Sequence, residues 1–296
     1  MKKVLVFFGL LALLSDAFGQ AKQTQIIDGA FQRTNNLPVD GAFQRTDIFH
    51  RKPTPLPYVR EADVMWSKKV WRIIDLREKM NQPMYFPTVE MEGKNNLVNL
   101  LMVGIRDGKI TAYDAKNDDE FKVPMTYEQA KEALGATVRK RQIRDVDTGG
   151  TRDTTIAAEV RSEEIKQIML KEEWYFDKQT STLNVRIIGI CPIREYYRDD
   201  DTNQENVMRS QVFWVYYPEA RELMAANEVF NTNNTARNST YDDVFLKRVF
   251  TSYILKESNI YNNRAISQYL SGKDAMLESK RIENDLFDYE QNLWEY

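Results

Sequence analysis

Hydrophobic residues recur at steps of three and four between Arg60 and Asn81, which is the periodicity of one face of an α-helix. Pro83 follows this stretch, and proline cannot continue a helix. The spacing therefore predicts a first amphipathic helix over residues 60–81. The apolar positions are Ala62, Met65, Trp66, Val70, Ile73, Ile74, Leu76 and Met80.

Four later stretches also have helical patterns. KNNLVNLLMVGIRDG offers Asn95 or Asn96 as an N-terminal cap and Gly108 as an end, and TYEQAKEAL begins at a threonine cap and closes at Gly135. RSEEIKQIML, over residues 161–170, places its apolar residues on one side of a helix, and EARELMAANEVF is helical after Pro218.

Strand patterns dominate elsewhere. EEWYFDKQTS and TLNVRIIGICPI predict a β-hairpin, and KITAYDA and QVFWVYYP predict further strands. From Tyr241 onward, helical patterns around VFLKRVFTSYIL and AISQYL precede a polar, acidic tail. A parallel βαβ rhythm is missing from the pattern, so the prediction is an α+β fold with antiparallel strands and several amphipathic helices.

The N-terminal residues predict export. Lys2 and Lys3 precede the apolar run VLVFFGLLALL and the small, polar SDAFGQ, which is the layout of a signal peptide over residues 1–19. The apolar run has about 11 residues, too few for the roughly 20 of a spanning helix. Residues 20–59, which include KPTPLPY, then predict an extended arm before a core over residues 60–296. Within that core, the polar residues 139–155 predict an exposed loop or linker.

Charge and composition narrow the choice of partners and chemistry. The formal net charge of the chain is −3, and near-balance argues against nucleic acid as a partner. The chain has one histidine, His50, so metal sites and catalytic triads that need converging histidines are not expected. The sequence also lacks the glycine-rich phosphate-binding motifs, and no cofactor is predicted. The single cysteine, Cys191, lies in an apolar run and is predicted to pack in the core.

One enzymatic alternative remains open. A glycosidase needs only two carboxylates at a fixed separation, and Glu163, Glu164, Glu172 and Glu173 could supply the pair. They fall on the predicted helix 161–170 and its exit, where glutamate is also common because it favours helices.

The heptapeptide DGAFQRT occurs twice in the predicted arm, beginning at Asp28 and again at Asp40. An aromatic anchor flanked by opposite charges is a plausible interaction hot spot, and two linked copies raise the effective concentration. We hypothesise that the arm binds a neighbouring subunit or another partner at two equivalent points; a tandem duplication with one useful copy is the alternative. The candidate partner-binding residues are Asp28, Phe31, Arg33, Asp40, Phe43 and Arg45.

Three further aromatic residues are candidates for partner binding. Tyr58 ends the proline-rich segment, and Trp66 and Trp71 lie five residues apart on different faces of the predicted helix. One tryptophan could therefore face the core and the other a partner, while core packing of both is the alternative.

The block YVREADVMWSKKVWRIIDLREKMNQPMYFP, residues 58–87, resembles the gliding-motility protein N family, GldN or PorN, of the type IX secretion system. The segments YEQAKEALG, EEWYFDK and WVYYPEAR extend the resemblance across nearly the whole chain. It implies a periplasmic, non-enzymatic protein that assembles with an outer-membrane lipoprotein, GldK or PorK, into a large ring tied to protein secretion and gliding. The duplicated DGAFQRT does not correspond to a motif of that family.

Overall fold

A computed structural model describes residues 26–27, 31–32, 50–91, 93–116, 119–136, 139–144, 151–156, 161–197, 206–230 and 239–292. The chain divides into a unit Met1–Asp47 and a unit Ile48–Tyr296. In the first unit, strand β1 (Ile26–Ile27) pairs antiparallel with β2 (Phe31–Gln32). The predicted signal peptide lies outside the described residues.

Eight strands of the second unit form one antiparallel sheet within the described residues. The strands are β3 (Val64–Asp75), β4 (Ala112–Asp114), β5 (Pro124–Met125), β8 (Ile165–Asp177), β9 (Thr182–Tyr197), β10 (Val207–Gln211), β11 (Phe213–Tyr216) and β12 (Tyr253–Glu257). Their order across the sheet is β12-β3-β8-β9-β11-β4-β5, and β10 also pairs with β9. The α+β class with antiparallel strands is therefore confirmed.

The helix predicted over residues 60–81 is wrong, because this stretch forms a short 3-10 turn and then strand β3. Burial explains the error. Residues 64–69 alternate in exposure as a half-buried strand does, but all five residues from 70 to 74 are buried. A central strand covered on both faces carries apolar residues at consecutive positions, and such a run also satisfies a helical period.

The helix predicted over residues 161–170 is also wrong, and for the same reason. Strand β8 begins at Ile165, and Ile168, Met169 and Leu170 are buried on its two faces between β3 and β9. The hairpin that follows is confirmed as β8 and β9, and QVFWVYYP contains strand β11 as predicted.

Capping signals located the helices well. Helix α2 (Leu97–Arg106) begins at Asn96, whose side chain accepts a hydrogen bond from the Asn99 amide, and Gly108 follows it at φ +68°. Helix α3 (Tyr127–Ala133) begins at Thr126 with a capping box. Gly135 at φ +88° lies directly beyond α3. The other helices are α1 (Gln82–Tyr85), α4 (Tyr217–Ala225), α5 (Tyr241–Leu246) and α6 (Gly272–Asn292).

The C-terminal region differs from its prediction. The stretch VFLKRVFTSYIL contains the end of α5 but also strand β12, and AISQYL contains only a 3-10 turn, Ile266–Gln268. The polar tail forms α6, which buries Ser279, Ile282 and Leu286. Few of its residues are buried, so its apolar period is weak although the helix is long.

Regular backbone also occurs where the sequence predicts an exposed loop. Strands β6 (Arg139–Arg144) and β7 (Thr151–Ile156) pair antiparallel at the two ends of residues 139–155. Ile143 and Ile156 are the only apolar residues of the two strands, so the composition did not indicate the backbone pairing. A linker role for this stretch stays a prediction.

The sheet has hydrophobic side chains on both faces. On one face, helices α2, α4 and α5 bury the main core around Ile74, Ile168 and Leu170, and α6 covers a second cluster around Val70 and Ile254. On the other face, Trp71, Met169 and Trp214 form a smaller cluster with Cys191, against which Phe121 packs. Core packing of Cys191 is confirmed.

Candidate interaction surfaces

A cleft of about 520 Å³ lies between α6 and the segment that joins α5 to β12. Its walls combine aromatic and charged side chains, with Trp174 and Phe250 on the sheet side and Phe287 on the helix side. Phe250 is buried, whereas Phe287 is 58% exposed at the helix surface. The cleft therefore presents an apolar surface to solvent between charged groups, as peptide-binding grooves do.

The floor of the cleft is a buried ion cluster. The Glu172 carboxylate is fully buried; its Oε2 lies 3.2 Å from Arg72 Nε, and its Oε1 lies 2.9 Å from Arg248 Nη1. Trp174 Nε1 donates a hydrogen bond of 3.1 Å to Glu172 Oε2, and both guanidinium groups lie over the Trp174 ring, at 5.6 and 5.8 Å from its centroid. Two cations share this one buried carboxylate, which makes the sheet side of the cleft cationic.

The helix side of the cleft carries both signs of charge. Glu283 accepts hydrogen bonds from Arg72 Nη1 at 3.2 Å and from Lys280 Nζ at 2.8 Å. Burial alone would raise the pKa of Glu283, but the hydrogen bonds and charges of Lys280 and Arg72 outweigh it and lower the pKa. Glu290 lines the cleft further along the helix.

A second exposed surface is the loop of residues 259–264, after β12. Ile260 is 89% exposed and Tyr261 is 65% exposed at its tip. The Asn259 side chain holds the loop: its Oδ1 accepts hydrogen bonds from the amides of Tyr261 and Arg264, and its Nδ2 donates to the carbonyls of Glu257 and Arg264. The loop thus presents two large side chains to solvent in a fixed conformation.

The described end of the predicted arm, residues 50–59, belongs to the second unit and packs on other residues of that unit. Arg51 forms a 2.9 Å ion pair with Asp243 of α5, and Arg221 donates to the Thr54 carbonyl at 2.6 Å. Arg221 is itself held by Asp242, whose Oδ1 is 2.9 Å from Arg221 Nε. Residues 51–60 are neither helical nor in a strand. This part of the proline-containing segment packs along its own chain.

The three aromatic candidates occupy different environments. Tyr58 is 88% exposed. Trp66 is half-buried and stacks on Tyr289 of α6 with ring centroids 4.5 Å apart. Trp71 is 1% exposed, and the Lys256 ammonium lies 4.2 Å from its ring centroid, so its placement matches the core-packing alternative. Partner binding by these residues stays a prediction.

The candidates of the duplicated heptapeptide fall in the first unit. Phe31 belongs to strand β2, and Asp28, Arg33, Asp40, Phe43 and Arg45 lie outside the described residues. Their role in partner binding also stays a prediction.

The pattern predicted that the four glutamates of the hydrolase alternative lie on a helix and its exit. The structure places them elsewhere. Glu163 and Glu164 belong to a 3-10 turn, and Glu172 and Glu173 to strand β8. Consecutive strand residues point to opposite faces, which separates Glu172 from Glu173. Glu164 precedes Glu172 by eight residues, about 26 Å of extended chain, whereas glycosidase carboxylates are at most about 9.5 Å apart. Glu164 is also held 2.6 Å from Arg194.

Two features are absent from the residues that the structure describes. No group of three or more His, Cys, Asp or Glu side chains there is placed to hold a metal ion. No helix in the described ranges combines the length and apolar character needed to cross a membrane.

Sequence reasoning missed the residues of the cleft. Arg248, Glu283 and Phe287 come from a connecting segment and from a helix that the tail pattern did not predict. The available signal was the spacing of Leu286 and Phe287, two large apolar residues four and five positions after Ile282.

The sequence model of a family described as gliding motility associated protein GldN matches residues 59–295. A search of curated proteins finds no match.

Proposed function

The chain belongs to the gliding motility associated protein GldN family and is thus a component of the gliding-motility and type IX secretion machinery, and from this we propose that it is a periplasmic ring subunit. In this proposal, it assembles with copies of itself and with an outer-membrane lipoprotein of the GldK or PorK type. The signal-peptide pattern of residues 1–19 supports export to the periplasm.

The observation that carries the proposal is the extent of the family match. It covers residues 59–295, which include the whole eight-stranded sheet and helix α6. The family is a secretion-machinery component and not a known enzyme family, which supports a protein that acts by binding other proteins. The cleft beside α6 and the 259–264 loop are the described surfaces best suited to such contacts, because each exposes large apolar side chains.

The arm has a specific part in this proposal. Its two DGAFQRT copies bind neighbouring subunits or the lipoprotein through Phe31 and Phe43, each flanked by an aspartate and an arginine. Replacing Phe31 and Phe43 with Ala, singly and together, and measuring co-purification with the lipoprotein tests it. We expect the double variant to lose more complex than either single variant, and an undiminished complex in the double variant would contradict a role for the repeat.

The ring proposal is tested by co-expressing the full chain with the lipoprotein and imaging the purified complex. The expected result is a closed assembly far larger than a dimer, with both proteins present in every particle. The lipoprotein purified alone under the same conditions is the control. A particle of one or two chains that does not enlarge with the lipoprotein would overturn the proposal.

A further inference from the structure

The side chains of α6 that line the cleft follow an order of charge and aromaticity. Lys280 comes first, Glu283 and Asn284 follow it, and Phe287 and Glu290 come last, so a cation lies at one end of the helix wall and an aromatic ring with an anion lies at the other. In a helix, Lys280 and Phe287 are separated by about 10 Å along the axis, and Phe287 and Glu290 by about 4.5 Å. The cleft thus has a direction that a ligand of matching order can recognise.

The DGAFQRT repeat has the complementary order. Each copy presents an anion, an aromatic ring and a cation, as in Asp40, Phe43 and Arg45. In an extended conformation, Asp40 and Phe43 would be about 10 Å apart and Phe43 and Arg45 about 7 Å apart, which agrees with the spacing in the cleft to within a few ångströms. The second copy is therefore the better fit, because Phe31 of the first copy pairs with Ile27 across β1 and β2.

We propose that the cleft beside α6 binds a DGAFQRT segment of a neighbouring copy of the chain. The assignment to a neighbouring copy rests on the proposed ring. The phenylalanine packs against Phe287, Phe250 and Trp174, the aspartate pairs with Lys280, and the arginine pairs with Glu290.

The existing contacts of the cleft favour such an exchange. Lys280 is 66% exposed in its ion pair with Glu283, and exposed pairs of this kind contribute little to stability. An incoming aspartate can therefore replace Glu283 as the ion-pair partner of Lys280 with little loss of stability. Arg248, which is 32% exposed above the buried Glu172, adds a second cation on the opposite wall.

Each chain contains two DGAFQRT segments and one set of the residues that form this cleft, so on average one segment per chain can be engaged. A segment seated in the cleft of the next chain joins the two chains head to tail. Such head-to-tail contacts generate rings when the rotation between subunits closes.

The first test measures peptide binding by the full chain. A fluorescently labelled DGAFQRT peptide is titrated into the Phe31→Ala/Phe43→Ala variant, in which the chain's own segments no longer compete, and anisotropy is recorded. The expected result is saturable binding. The peptide RGAFQDT, in which the two charges exchange places, is expected to bind more weakly, and equal binding of the two peptides would contradict the proposed order.

Helix α6 supplies a matched pair of cleft variants in that background. Phe287→Ala is expected to weaken binding about tenfold or more, because it removes the aromatic contact. Leu277→Ala is the control, since Leu277 is equally exposed on the same helix, at 57% against 58%, and does not line the cleft. Equal loss in the two variants, or loss in neither, would overturn the site.

The second test distinguishes a neighbouring copy from the chain's own arm. Gly41→Cys lies between Asp40 and Phe43 in the repeat, and Asn284→Cys lies between Lys280 and Phe287 in the cleft. The native Cys191 is fully buried and does not interfere. The two variants, purified separately and mixed under oxidation, are expected to form a disulfide-linked dimer on a non-reducing gel, and Leu277→Cys in place of Asn284→Cys is expected to form much less.

The outcomes separate this inference from the proposed function. Peptide binding without the inter-chain disulfide would contradict the assignment to a neighbouring copy. A ring that forms normally with the lipoprotein while the peptide fails to bind would overturn the cleft and leave the proposed function intact. Peptide binding in a protein that forms no ring would overturn the proposed function instead.

Discussion

Trp66 and Tyr289 stack with their ring centroids 4.5 Å apart and their planes at 26°. Trp66 lies on β3 and Tyr289 in the last turns of α6, so the contact joins the sheet to the end of the C-terminal helix. The buried Ile282 and Leu286 pack on Val70 in the same cluster. The stack therefore adds to the buried contacts of Ile282 and Leu286 that place α6, and with it the wall of the cleft, against the sheet.

Replacing Trp66 with Ala is expected to lower the free energy of unfolding by about 1–2 kcal/mol, because Trp66 is only half-buried but loses both packing and a ring contact. Urea denaturation followed by circular dichroism measures the change. Tyr58→Ala is the matched control, since Tyr58 is 88% exposed and its removal should leave stability unchanged. Equal midpoints for the Trp66 variant and the original chain would show that the stack does not hold the helix.

Local signals predicted some elements closely. Helices α2 and α3 were predictable because Asn96, Thr126 and Gly135 act within one turn of the backbone, independently of the rest of the fold. The β8 and β9 hairpin was predictable for a similar reason, since two β-rich runs are joined by a short polar turn.

The predictions for β3 and the start of β8 failed because their burial is decided by distant chain. Val70 is covered by Ile254 and Ile282, and Ile73 by the cluster on the other face, so apolar residues occupy consecutive positions. The cleft was not predictable either, since Arg72, Glu172 and Arg248 meet only through the pairing of β3 with β8 and the turn after α5. Pairings over such sequence distances leave no periodic signal.

The thiol of Cys191 is expected to be unreactive in the folded protein. The side chain is fully buried, and burial raises the pKa of the thiol, so both access and the reactive thiolate are suppressed. The reaction is followed with an aromatic disulfide reagent that releases a coloured thiolate at pH 8. It should be slow in buffer and complete in denaturing urea. Rapid modification of the folded chain would show that the sheet face around Trp71 opens readily.

Stability in acid is expected to depend on Asp75. A hydrogen bond from Arg77 Nε, at 2.9 Å, is the main cause that lowers the pKa of Asp75 below its ordinary value of 3.8. A depressed folded-state pKa stabilises the fold above the unfolded pKa, and this contribution is lost as the pH falls below about 4. Asp75→Asn should therefore lower stability at pH 7 by at most about 1 kcal/mol, since Arg77 is largely exposed, and should flatten the acid limb of the curve.

A double-mutant cycle with Arg77→Met assigns the effect to this pair. Arg77→Met removes the main cause of the lowered pKa of Asp75 but keeps the backbone amide of residue 77 and Gln167 on the carboxylate, so its acid limb should flatten in part, and the double variant should match Asp75→Asn. Chemical denaturation at a series of pH values between 2 and 7 provides the measurement. An acid limb that stays steep in all three variants would assign the pH dependence to other carboxylates.

Removal of the buried charge at Glu172 is expected to destabilise the protein strongly. Glu172 is fully buried and lies within 3.2 Å of Arg72 and 2.9 Å of Arg248, so Glu172→Gln leaves two cations short of their shared counter-charge. Breaking a buried ion pair by removing one partner costs about 3–5 kcal/mol. Because Arg72 retains Glu283, we expect a loss near the lower end of that range, measured by urea denaturation.

Glu173→Gln is the matched control for this variant, because it changes the same side chain one position along β8. Glu173 points to the opposite face of the strand and is partly exposed, so its neutral replacement should alter stability by less than about 0.5 kcal/mol. A further readout is tryptophan fluorescence, since Trp174 donates its indole hydrogen bond to Glu172 and should change emission only in the Glu172 variant. Similar stability in the two variants would mean that Arg72 and Arg248 are solvated in the cleft, and the ion cluster would then not shape its floor.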